Sequence, residues 1–78
     1  TQTNMREIVE KIVAKYDSLI TELEQMDLEH TQYLQDATAS RNVPANEVDA
    51  RMKLARDNKR RLQTAVAERE YLIENYLR

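Results

Sequence analysis

The sequence predicts an all-α chain: two long helices folded back on one another as an antiparallel coiled-coil hairpin, associating further into a helical bundle. Three observations carry that expectation. Apolar residues from Met5 to Ala37 recur at alternating steps of four and three, the period of one helical face. The 78 residues contain no Gly and one Pro, with abundant Glu, Lys, Arg, Leu and Ala, a composition for long helices and against a sheet. Finally, the two halves differ in charge. Residues 1–40 hold three basic and eight acidic side chains, and residues 41–78 hold nine basic and six acidic.

One domain over residues 1–78 is expected, with helix 1 over about 4–38, a loop over about 39–45 and helix 2 over about 45–77. Residues 1–3 read as a lead-in, and Asn4 as an N-cap with Glu7 three positions on. With Met5 at a d position, Val9, Tyr16, Leu23, His30 and Ala37 become a positions, and Ile12, Leu19, Met26 and Tyr33 become d positions. Ile8, Val13, Ile20 and Leu34 then lie beside the seam, so the apolar face is wider than two helices need.

Small and cap-prone residues from Asp36 to Asn42 weaken the helix, and Val43 is pushed towards extended geometry by Pro44. Without Gly, helix 1 is expected to end without a left-handed cap. Pro44 suits the start of helix 2, where Glu47 and Asp49 favour the helix dipole. The second seam runs Val48, Met52, Ala55, Lys59, Leu62, Val66, Arg69, Ile73, Tyr76, with Leu54, Ala65, Leu72 and Leu77 flanking it.

A hairpin pairs residues whose numbers add to a constant. A sum of 85 sets Leu23 against Leu62, Leu19 against Val66 and Ile12 against Ile73. It also brings a basic block over residues 51–61 level with Glu22, Glu24, Asp27 and Glu29, whereas a parallel pairing would set that block beside Arg6, Lys11 and Lys15. Arg69 is the misfit of the second seam, and Tyr16 is its expected partner through guanidinium stacking on the ring.

Functional chemistry is sparse in this chain. There is no Cys for a disulfide or thiolate site, and the lone His30 is expected to be structural rather than a metal ligand. No nucleophile sits beside a base and no Gly-rich phosphate loop exists, so neither enzyme activity nor a cofactor, metal or small-molecule substrate is expected. No apolar run approaches the roughly 20 residues of a membrane span, and no signal-like segment opens the sequence, so a cytoplasmic protein without membrane attachment is expected. A basic face made of Arg51, Lys53, Arg56, Lys59, Arg60 and Arg61 is the candidate for nucleic acid. Its acidic neighbours and the absence of interleaved aromatics weigh against that role.

Protein–protein contact is the favoured function, because a two-helix core is small and the sequence holds apolar residues in surplus. Ile8, Val13, Ile20, Leu34, Leu54, Ala65, Leu72 and Leu77 are the candidate partner-binding residues, serving a homo-oligomer or a helix from another protein. A small chaperone, adaptor, assembly factor or inhibitor fits that expectation. A homodimeric structural bundle and a nucleic-acid or transcription-linked regulator are the alternatives. In length and its pair of amphipathic helices the chain resembles the helical-hairpin co-chaperones of bacterial type III secretion needles.

Overall fold

A computed structural model describes residues 4–78; the expected lead-in of residues 1–3 lies outside them. Helix α1 spans Met5–Ser40 and helix α2 spans Ala45–Leu72, with a final π-helical turn over Ile73–Leu77. The two helices run antiparallel along a molecule of 62 × 16 × 16 Å. Arg6 Nη1 donates to the carbonyl of Leu77 at one end (3.3 Å), and Arg51 meets His30 near the other. The antiparallel hairpin expected from the sequence is therefore the fold.

The ends of α1 follow capping chemistry. Asn4 takes the Arg6 N–H on its side-chain oxygen at 3.0 Å, and Glu7 lies in the first turn beside the positive end of the helix dipole. The far end corrects the sequence expectation. Arg41 adopts φ 57°, ψ 12°, and its N–H returns to the Ala37 carbonyl at 3.2 Å. A left-handed cap therefore forms without Gly, because an exposed Arg tolerates the position at a cost of about 1 kcal/mol. Pro44 then opens α2, its carbonyl accepting from Glu47 and Val48.

The seam is rotated relative to the one expected. On α1 the buried and half-buried line is Val9, Val13, Tyr16, Ile20, Leu23, Asp27, His30, Leu34, Ala37. Val13 is 9% exposed, whereas Ile12, Leu19 and Met26 are 39%, 41% and 42% exposed. On α2 the line is Val48, Arg51, Ala55, Asn58, Leu62, Ala65, Arg69, Leu72, so Met52, Lys59 and Val66 turn outward. Alternate residues of each expected seam stay, and the others give way to an adjacent neighbour.

Lys59 supplies the physical reason. An ammonium on the seam would lose its hydration, whereas the rotation exposes it and seats Asn58 in its place. Asn58 is 4% exposed, and its amide donates to the Leu23 carbonyl at 2.9 Å, so this buried polar group is satisfied. Asp27 shares the seam with it. One of its carboxylate oxygens is buried with Lys59 Nζ 3.7 Å away, close enough for an ion pair but too long for a hydrogen bond. Cross-helix partners bracket the expected register: Leu23 with Asn58 and His30 with Arg51 add to 81, and Asp17 with Arg69 and Asp27 with Lys59 add to 86.

Arg69 does not stack on Tyr16. Its Nε pairs with Asp17 at 2.5 Å, a rim carboxylate that neutralises the charge while the stem stays half-buried. Ring stacking occurs instead at Arg51, whose guanidinium carbon lies 4.4 Å from the Tyr33 ring centre. In the last turn Arg78 N–H reaches the Ile73 carbonyl, an i to i+5 bond of 3.1 Å. That wider turn carries the seam from Leu72 to Leu77 and leaves Tyr76 exposed.

Candidate protein-interaction face

The rotation gives the hairpin two unlike flanks. Along one, the edge of α1 bearing Asp17 and Asp27 is tied to α2 by ion pairs to Arg69 and Lys59. Along the other, Met5, Ile12, Leu19, Met26 and Tyr33 recur every seven residues, and all but the half-buried Tyr33 are exposed. Leu54 of α2 projects on this same side.

Three shallow grooves join along that flank. The central one, about 330 Å³, lies between Tyr16, Leu19 and Leu23 of α1 and Arg61, Ala65 and Glu68 of α2. Ile12 and Lys15 extend it towards the start of α1, and Met26, His30, Leu54 and Asn58 continue it towards the loop. Their floors are apolar, and charges stand at the edges. Tyr16 donates its hydroxyl to Glu68. That hydrogen bond, then partial burial, then the Glu68 charge hold the Tyr16 phenol above its ordinary value of 10.0.

Residues proposed from sequence for a partner fall into two groups. Val13 and Ala65 are buried, and Ile20, Leu34, Leu72 and Leu77 are half-buried, all taken up by the hairpin's own seam. Ile8 and Leu54 stay exposed. Ile12, Leu19 and Met26, assigned from sequence to the seam, are the exposed row. The signal for this was present as doublets, Ile12-Val13 and Leu19-Ile20, which let a helix bury either member.

The candidate nucleic-acid residues differ in their surroundings. Arg51 is occupied by Tyr33 and by His30 Nδ1, which accepts from its Nε at 2.8 Å. Lys59 faces Asp27, Arg60 and Arg61 border the central groove, and Lys53 and Arg56 lie exposed on α2. Lys53, Arg56 and Arg60, spaced three and four apart, share one exposed side of α2, while Arg51 and Lys59 each face a side chain of α1.

Among the described residues, no group of three or more His, Cys, Asp or Glu is placed to hold a metal ion. Among them, too, no helix is long and apolar enough to cross a membrane. Comparison with protein-family models, curated proteins and solved structures finds no match.

Proposed function

We propose that the protein is a non-enzymatic docking module of the cytoplasm, a helical hairpin that acts as a chaperone, adaptor, assembly factor or inhibitor by burying one flank against another protein. The observation behind this reading is the exposed row Ile12, Leu19, Met26 with Leu54, lying over continuous apolar grooves. Large apolar side chains repeated at heptad spacing form a stripe that a partner helix can cover. The opposite flank is bridged by ion pairs, and its exposed apolar residues Met52 and Val66 are separated by Lys59.

The test is affinity capture with the wild-type chain, with Leu19→Glu/Met26→Glu, and with Thr31→Glu as a control away from the row, followed by binding measurements with the purified partner. Affinity should fall at least tenfold for the double variant and hold for the control, with helicity unchanged in both. A partner that ignores the double variant but is lost with Thr31→Glu would overturn the assignment.

A further inference from the structure

We infer that the occupant of this flank is a second copy of the chain, laid antiparallel with α1 on α1 and the twofold axis at Leu19. The inference rests on the docking reading above and names the partner. A twofold interface must be self-complementary under reversal. Reversing the row about Leu19 sets Ile12 on the partner copy's position 26 and Met5 on its position 33. Each of these meetings is apolar against apolar.

The charges on both rims obey the same axis. On the outer edge of α1, Lys15 and Glu22 lie nearly equidistant from Leu19, so each lysine lands beside the other copy's carboxylate. On α2, the observed cross-helix register places the level of Leu19 between residues 62 and 67. That interval falls between Arg61 and Glu68, two of the charged residues bordering the central groove, which Arg60 also lines. The axis that centres the apolar row therefore also sets each Arg61 against the other copy's Glu68. Tyr16 occupies one oxygen of Glu68, and the second is left to accept. Two independent charge pairs and the apolar row thus share one centre.

Other arrangements lose this match. Parallel rows bring like charges level, lysine with lysine and glutamate with glutamate. Seating α1 over the partner's α2 lays the apolar row on Arg61 and Glu68. Area is adequate as well. From Met5 to Tyr33 the row is about 42 Å long at 1.5 Å per residue. Across the 16 Å width of the hairpin this gives on the order of 700 Å² per copy, where specific interfaces bury roughly 600–1,000 Å² per partner. Rim charges of this kind set direction more than strength.

The chain contains no cysteine, so single substitutions report cleanly. The wild type should sediment at twice its 9.2 kDa mass at micromolar concentration. Under mild oxidation Leu19→Cys should link to itself. Ile12→Cys and Met26→Cys should not self-link, but an equimolar mixture of the two should. Self-linking by all three would establish parallel rows and overturn the proposed axis. A single-chain mass with no crosslink would exclude the second copy. The docking reading would survive that result if a purified partner still lost affinity for Leu19→Glu/Met26→Glu, and would fall with it otherwise.

Discussion

Asn58 offers the sharpest test of the seam, through the near-isosteric change Asn58→Asp. The amide is buried and gives its N–H to the Leu23 carbonyl at 2.9 Å. A carboxylate of the same shape has nothing to donate and turns its lone pairs on that carbonyl. The floor of the penalty is the lost hydrogen bond, about 1 kcal/mol. The ceiling is set by proton uptake. Holding a carboxyl protonated costs about 1.4 kcal/mol per pH unit above its ordinary value near 3.9. At pH 7 that is about 4 kcal/mol, and beyond it the group takes up a proton and becomes a donor again. We expect a loss of about 2–4 kcal/mol at pH 7. Burial raises the folded-state pKa of the introduced carboxyl above its unfolded value. The stability it permits is therefore fully present below about pH 4 and is lost as pH rises through the folded value. Urea unfolding followed by circular dichroism, at equal concentrations of variant and wild type, should show a gap that is wide at pH 7 and closes towards pH 4. A gap under about 0.5 kcal/mol at pH 7, or one independent of pH, would refute the buried, donating Asn58.

Three further outcomes follow from the same geometry. Arg41→Gly should raise stability by about 1 kcal/mol, because φ 57° costs a residue with a Cβ and costs glycine nothing; a lower melting temperature would contradict the left-handed cap. Asp17→Asn should lose up to about 1 kcal/mol at low salt and almost nothing near 1 M, as expected for a half-exposed pair with Arg69. In ultraviolet titration, Tyr16 (isolated by subtracting Tyr16→Phe) should ionise above 10.0 and move back towards that value in Glu68→Gln. The stabilisation from this hydrogen bond is present below pH 10 and is lost as pH rises through the raised value.

The sequence was informative about direction and extent, and less so about rotation. Alternating steps of four and three, the Asn4 cap and Pro44 place both helices to within a turn, and the charge imbalance orients them. Rotation about each helix axis was ambiguous because α1 has apolar doublets where one residue suffices. The decision came from α2, where Lys59 leaves the seam and Asn58 enters it with a backbone acceptor opposite. Such a choice depends on a carbonyl across the interface, which a one-dimensional pattern does not show. Arg69 and Arg51 exchanged roles for the same reason. Once the helices rotate, Asp17 comes within reach of Arg69, and Tyr33 with His30 receives Arg51. In the exposed row Ile12 and Leu19 are the other halves of these doublets and Met26 gives way to Asp27, so the row was hidden in the expected core.

The π-helical turn at Ile73–Leu77 changes the phase of the helix after Leu72. One extra residue in a helix swings everything beyond it by about 100°, which in mid-chain would carry whole heptads out of contact. Here the shift lets Leu77, five residues after Leu72, regain the seam in place of Tyr76. Deleting one residue from 74–76 should restore an ordinary α-turn with little loss of stability, whereas adding one residue at position 60 should unzip the hairpin.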